Sequence, residues 1–517
     1  MPASIRWRFA FTLGANFFRA LLSFLTGMLL ARWLGPKAYG NMAFLLGTFL
    51  AVRQLLDLGS SSAFFTFLSQ RARSRRFVGA FFVWLAVQFL VPLLVVGVLF
   101  PSRWIEAIWH GEERWLVLLA FAAAFMQYSV WPVVQQAGES QRRTVWVQGI
   151  GVAVGSVHLI AVVLLMYSGA LGLYAIFVAI AVEYLLAAVV AQQQFSYATA
   201  GEAETGEDAG ARAMLRKYWN YCFPLILYSL MGFAYEFADR WLLQSYGGSV
   251  EQAYYAVGSQ FAAIALIATT SILRIFWKEV AEAHDRKDHV RTGELYKKVS
   301  RLLYLAGAVI AGFLVPWSEE LLRFILGTAY VGGATTMAIM LVYPVHQSMG
   351  QIGGTLLLAT ERVSIQVYTG IGFMILSMAV SYLVLASPDA MIPGLGLASE
   401  GLAIKMFAMQ LIQVNVVAFI ISRIWGWSFD WAFQPISLLG CLGLGWVAHI
   451  AAISFSGNAL HLVSMMILGC VFYLTALAVF VYAMPFLAGV TRTELVEEVG
   501  RVFNYLKGFS CRGSVKS

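Results

Sequence analysis

The feature that most constrains this chain is a recurrence of apolar runs, each about twenty residues long, the length an α-helix needs to cross a hydrocarbon core of about 30 Å. They fall near 9–34, 39–66, 77–100, 114–136, 144–167 and 170–193, then near 218–243, 252–277, 300–325, 333–358, 364–386, 397–422, 431–454 and 462–488. Fourteen such runs leave little of the 517 residues for anything else. With 60% hydrophobic and 12% charged residues and a mean hydropathy of +0.74, the composition excludes a water-soluble globule. The sequence predicts an all-α polytopic membrane protein of about 14 transmembrane helices.

Charge indicates how such a chain threads. Of 35 lysines and arginines, 25 fall in the N-terminal segment and then in every alternate connection, 5 in the other connections (Arg32, Lys37, Arg103, Arg114, Arg323) and 5 inside the runs. This bias follows the positive-inside rule and predicts that both termini are cytoplasmic. The net charge of +8 then reports topology, not nucleic-acid binding. Arg6 and Arg8 precede an apolar run as in a signal peptide, but the run is too long, contains Arg19 and ends without a small-x-small site, so it reads as a retained span. Cys222, Cys441, Cys470 and Cys511 lack metal-ligand spacing and indicate neither a disulfide framework nor zinc.

The segment Ala198 to Ala211 is Gly/Ala-rich and acidic, with nothing to bury, and reads as a linker dividing the runs six and eight. The two sides echo each other. Arg32-Trp33-Leu34 matches Arg240-Trp241-Leu242, Ala137-Gly138-Glu139 matches Ala359-Thr360-Glu361, and Ala170-Leu171-Gly172-Leu173 matches Gly394-Leu395-Gly396-Leu397. Six spans are therefore read as duplicated in parallel orientation, as two pseudo-symmetric six-helix bundles around a central cavity, with two extra C-terminal helices that suit a lipid-tail groove. The expected divisions are 1–197 and 218–430 for the bundles, 198–217 for the cytoplasmic linker, 431–490 for the added pair and 491–517 for a cytoplasmic amphipathic tail. That tail opens on Thr491-x-x-Glu494, a capping-box pattern. It and the basic connector Lys278 to Arg301 read either as inner-leaflet surface helices or as solvated connections.

Charge inside the spans narrows the function. On the first span Asn16, Arg19, Ser23 and Thr26/Gly27 recur three or four residues apart, forming one polar, small face. An arginine at mid-bilayer costs about 3 kcal/mol, so it turns to a wet cavity or a counter-charge. Arg53 has Asp57 one turn on as a possible counter-charge, and Arg274 sits near a span end where an interfacial anchor is the ordinary reading. The acidic set is Asp57, Glu183, Glu236, Asp239 and Glu400; Asp239 adjoins Arg240, and Lys405 lies five residues after Glu400. On the seventh span Tyr228, Gly232, Tyr235/Glu236 and Asp239 make a polar stripe where a carboxylate would serve either proton coupling or a gate. On the tenth, Tyr343, His346, Gln347, Gly350, Gln351 and Gly354 share one face, suited to sugar hydroxyls or to close helix packing.

Asn16 and Arg19, the turn from Ala31 to Gly40 with its Leu34-Gly35-Pro36 and Tyr39-Gly40, and Asp57-Leu58-Gly59 resemble the start of the multidrug/oligosaccharidyl-lipid/polysaccharide (MOP) exporter superfamily, in its polysaccharide, Wzx-type O-antigen flippase branch. The resemblance implies that cations on the first, second and eighth spans (Arg19, Arg53, Arg274) hold a lipid-diphosphate headgroup, and arginine suits that role because its planar fork matches phosphate oxygens. Asn16, His346, Gln347 and Gln351 are candidate polar lining; Asp57, Glu236, Asp239 and Arg240 are candidates for coupling or gating. No Walker motif, metal cluster or catalytic constellation is evident, so no cofactor, metal or enzyme activity is expected. The expected function is a flippase moving an undecaprenyl-diphosphate-linked oligosaccharide across a bacterial inner membrane for polysaccharide biosynthesis. Its partners would be that substrate, membrane lipids and polymerase or other assembly proteins, with no nucleic acid. The alternatives are a MATE-like small-molecule or drug antiporter, a membrane glycosyltransferase or ligase, which the short outer connections disfavour, and a non-transporting scaffold.

Overall fold

The structure is a computed structural model describing residues 5–70, 75–195, 211–456, 462–494 and 497. The acidic linker at 198–210 and the tail beyond 497, Cys511 included, lie outside the described residues. Among the described residues every regular element is helical, and twelve helices are long and apolar enough to cross a membrane. Two exceed one crossing: Ile5–Asp57 (53 residues) and Ala211–Asp285 (75 residues). Each breaks at a glycine of nearly the same conformation, Gly35 (φ 74°, ψ 169°) and Gly248 (φ 76°, ψ −175°). An L side chain rarely adopts such a backbone, and Pro36 withdraws a donor beside the first break. Each long helix is thus long enough for two crossings, which makes fourteen among the described residues. The chain is a multi-pass membrane protein, and outward-facing Val98, Leu164 and Ile160 have the apolar character that lipid requires.

The duplication appears in where helices begin. Starts pair as Arg75 with His289, Ser102 with Ser318, Arg114 with Ala334, Thr144 with Val363 and Leu173 with Ala398, at separations between 214 and 225 residues. This corrects one register: the breaks at Gly35 and Gly248 are 213 residues apart, so matching Arg32-Trp33 to Arg240-Trp241 at 208 is out of step. It also adds a pair invisible to residue matching. Ser102–Trp109 and Ser318–Ile325 are both eight-residue helices placed shortly after a proline, Pro101 and Pro316. Phe433–Ser456 and Leu462–Ala483 follow as the added pair.

The helices group into two compact units, one made of Met1–Gln260, Arg323–Thr336 and Gly370–Lys405, the other of Phe261–Leu322, Met337–Thr369 and Met406–Ser517. In the first, the opening helix packs on Thr144–Tyr167 over Gly151 and Gly155, small residues one turn apart that admit Arg19 and Leu22. Arg32 donates to the carbonyls of Phe324 and Ile325 at 3.1 and 2.9 Å, satisfying acceptors at a helix end. In the second, Gly312 and Gly445 bring backbones together: a Cβ on Gly445 would lie 1.8 Å from the Gly312 carbonyl oxygen. Tyr304, Ala308, Val345, Val414 and Cys441 fill the core around that contact.

The capping box forms as read. Thr491 N–H donates to Glu494 Oε2 at 2.8 Å and Glu494 N–H to Thr491 Oγ1 at 3.3 Å.

Candidate substrate chamber

The polar face of the opening helix looks into a chamber of about 710 Å³ that lies wholly within the first unit. Asn16, Arg19, Ser23 and Thr26 form one wall; Gln127, Tyr128 and Gln135 form another. The second wall owes its shape to Pro132, whose missing N–H leaves the Tyr128 carbonyl unpaired in an α-helix. The chain widens there into a π-turn over Met126–Val130 that carries Gln127 and Tyr128 to the chamber. His158 and Tyr184 come from the next two helices, and Ser259 and Gln260 from the stretch after Gly248.

Arg19 is set by its neighbours. Its Nη2 donates to Asn16 Oδ1 at 2.5 Å, and its Nη1 occupies the space over Gly151, where a Cβ would sit 2.9 Å away. Glu139 and Tyr184 act on it electrostatically, and Glu139 is itself held by Gln148 Nε2 at 2.8 Å. Among the described residues Arg19 makes no ion pair. Deeper in, Tyr39 OH donates to Gln260 Oε1 at 3.1 Å, and Gln260 Nε2 donates to the Ser23 carbonyl at 3.1 Å over the bare Gly27. Beyond that bar Asn41 is joined to Ser249 and Gln244, and Gly40 meets the Ser249 carbonyl so closely that a Cβ would lie 1.7 Å from it.

The other candidates do not all gather here. Arg53 is not among the lining residues; it belongs electrostatically to Glu236, which is hydrogen-bonded to Gln54 and near Arg240. Gln54 fits over Gly232 of the seventh span. Asp57 accepts from Ser60 Oγ at 3.0 Å and from Ser61 N–H at 2.9 Å, so its carboxylate holds the start of the helix Ser60–Gln70. Asp239 is paired with Lys405 rather than with its neighbour Arg240, which instead covers the Tyr255 ring at 5.2 Å. Arg240 also acts electrostatically on Tyr128, linking this second cluster to the chamber wall.

His346, Gln347 and Gln351 belong to the second unit. His346 Nε2 meets Tyr304 OH at 3.1 Å and lines a separate pocket of about 710 Å³ whose other walls, Phe407, Leu411, Ile412 and Leu438 among them, are mainly apolar. Gly350 and Gly354 on the same face admit Gln410 and Gln366, which is the close-packing use of that stripe. The amide oxygens of Gln347 and Gln351 are buried and accept no hydrogen bond from the described residues. Arg274 lies on the helix Ala211–Asp285, and its side chain falls outside the described residues. Among the described residues no cluster of three His, Cys, Asp or Glu is placed to hold a metal.

Sequence reasoning missed His158. Its Nδ1 lies 2.8 Å from Glu183 Oε2, so the acidic residue of the sixth span has its partner on the fifth. A histidine in an otherwise apolar run, with an unpartnered glutamate in the adjacent run, was the available signal.

None of the curated proteins matches the chain. Among solved structures, lipid II flippase MurJ in an inward closed conformation is similar at a TM-score of 0.68 and 12% identity, covering 91% of this chain and 98% of that one. An inward-facing multidrug resistance MATE family transporter is similar at 0.57 and 13%, covering 80% and 98%. A MOP superfamily transporter from Pyrococcus furiosus is similar at 0.55 and 11%, covering 82% and 96%. These likenesses give the fold, and a family model described as "Polysaccharide biosynthesis protein" matches residues 8–276, more than half of the chain. The chain is a member of the polysaccharide biosynthesis protein family.

Proposed function

We propose that this protein flips an undecaprenyl-diphosphate-linked oligosaccharide from the cytoplasmic to the periplasmic leaflet of a bacterial inner membrane. It works by alternating access, with both termini cytoplasmic, in assembly of a surface polysaccharide such as O-antigen or exopolysaccharide. The observation that carries this reading is Arg19: a guanidinium in a chamber lined in part by amides and hydroxyls, hydrogen-bonded to a neutral amide rather than to a carboxylate. It keeps the charge and the donor geometry that a diphosphate needs. Amides and hydroxyls of Gln127, Gln135, Ser23 and Ser259 suit sugar hydroxyls and spare the headgroup the cost of crossing hydrocarbon. The apolar pocket beside His346, reaching Leu438 and Leu439 of the added pair, suits the polyprenyl tail. The similarity in fold to a lipid II flippase supports the same class of cargo.

Arg19→Ala in cells should abolish surface glycan while leaving protein abundance unchanged, with lipid-linked oligosaccharide accumulating on the cytoplasmic leaflet. Normal glycan from that variant removes Arg19 from the site. A MATE-like antiporter is the second reading, favoured by the fold; it predicts drug resistance on overexpression and indifference of surface glycan to Arg19.

A further inference from the structure

We propose that His158 and Glu183 form a proton site that takes up a proton together with the anion bound in the Arg19 chamber, so that the two bind cooperatively rather than in exchange. This deepens the proposed function and rests on its reading of Arg19 as an anion ligand. The pair spans two helices, Thr144–Tyr167 and Leu173–Gln192. His158 is on the chamber wall, while the Glu183 side chain is only 9% exposed. A carboxylate so enclosed in a membrane span needs a partner, and His158 Nδ1 supplies it at 2.8 Å. With Nδ1 fixed on Glu183, Nε2 is left to gain or lose the proton.

The dyad therefore has two charge states, −1 with a neutral imidazole and zero with one proton added. The titratable groups facing it from the other walls are Arg19 and Tyr39 on the opening helix, Tyr128 in the π-turn, and Tyr184 beside Glu183; Glu139 acts on Arg19 from behind. Arg19 Nη1 lies over Gly151, about two turns before His158 on the same helix, and both side chains line one chamber. An anion brought to Arg19 adds negative charge beside a pair that is already negative, and one proton on the dyad removes that repulsion. Linkage makes the effect reciprocal: the proton favours the anion as much as the anion favours the proton. An exchanger would show the opposite sign.

The test uses the full-length protein in lipid nanodiscs with farnesyl diphosphate as probe, by titration calorimetry in two buffers of different ionisation enthalpy. Binding is expected to take up protons and to tighten as the pH falls, by up to about tenfold per pH unit for uptake of one proton. The probe's own protonation weakens its binding at low pH, so it cannot mimic that trend. In Glu183→Gln and His158→Asn the slope should flatten and the uptake fall relative to the unaltered protein. If either variant fails to fold, the other and the unaltered protein still decide. Binding that Arg19→Ala abolishes, without proton uptake or with the opposite pH slope in the unaltered protein, overturns the dyad and leaves the chamber reading standing. Undiminished binding in Arg19→Ala, or no binding at all in the unaltered protein, overturns the chamber reading and the dyad with it.

Discussion

Lys405 places its ammonium 2.9 and 2.7 Å from the two carboxylate oxygens of Asp239, 166 residues away in sequence, with none of the lysine side chain exposed. Ser381 Oγ donates to the same carboxylate, and the Tyr235 ring lies 4.5 Å from the ammonium. A buried pair with its remaining valences filled tolerates loss of both members better than loss of one. Lys405→Met should therefore lower stability by about 3–5 kcal/mol, and Asp239→Asn added to it should restore much of the loss. Thermal unfolding of the purified single and double variants measures this; additive losses would contradict it.

Gly151 and Gly149 make a matched pair on one helix. A Cβ at 151 meets Arg19 Nη1 at 2.9 Å, while at 149 nothing lies within 4 Å. Gly151→Val should displace the guanidinium and reduce surface glycan nearly as far as Arg19→Ala, and Gly149→Val should leave it near normal. Glycan profiles at matched protein abundance read the difference.

Gly40 reports on closure of the chamber. A methyl there would lie 1.7 Å from the Ser249 carbonyl oxygen, and backbone cannot yield as a flexible side chain does. Gly40→Ala should hold the Asn41–Ser249 contact apart. Disulfide formation between cysteines at positions 41 and 249 should proceed readily in an otherwise unaltered protein and slow at least several-fold with Gly40→Ala.

The capping box sets a pH-dependent helix start. Hydrogen bonds from Thr491 N–H, and then from its hydroxyl, hold the Glu494 carboxyl below its ordinary value of 4.5. A lowered folded-state value means the stabilisation is complete above the ordinary value and lost as the pH falls through the lowered one. Protection of the Thr491 and Glu494 amides, relative to their intrinsic exchange, should hold above the ordinary value of 4.5 and fall below it; Glu494→Gln should remove that dependence, and Thr491→Ala, which keeps the backbone N–H, should only weaken it.

What the sequence disclosed and what it withheld divide along physical lines. Apolar run length and loop charge depend on local composition, so the fourteen crossings and the break at Gly35-Pro36 were legible. Helical spacing put Asn16 and Arg19 on one face and linked Thr491 to Glu494. It does not say which face of one helix meets which face of another, so Lys405 was set beside Glu400 when its partner is Asp239, and Glu183 was left without His158. The tenth-span stripe left sugar contact and close helix packing open, and His346 on it turns to Tyr304 and an apolar pocket. Matching residues misplaced the first repeat at Arg32 and Arg240 because a shared Arg-Trp-Leu outweighed the glycine break, which is where the two copies agree in conformation.

The most direct test is leaflet exchange by the purified protein. Vesicles carrying a fluorescent short-chain polyprenyl-diphosphate oligosaccharide are treated from outside with a membrane-impermeant enzyme that acts on the exposed glycan. The proposed function predicts that the unaltered protein exposes the inner-leaflet pool to the enzyme, while Arg19→Ala leaves about half of the label protected, as in protein-free vesicles. Equal exposure with both proteins, or protection with both, would contradict it.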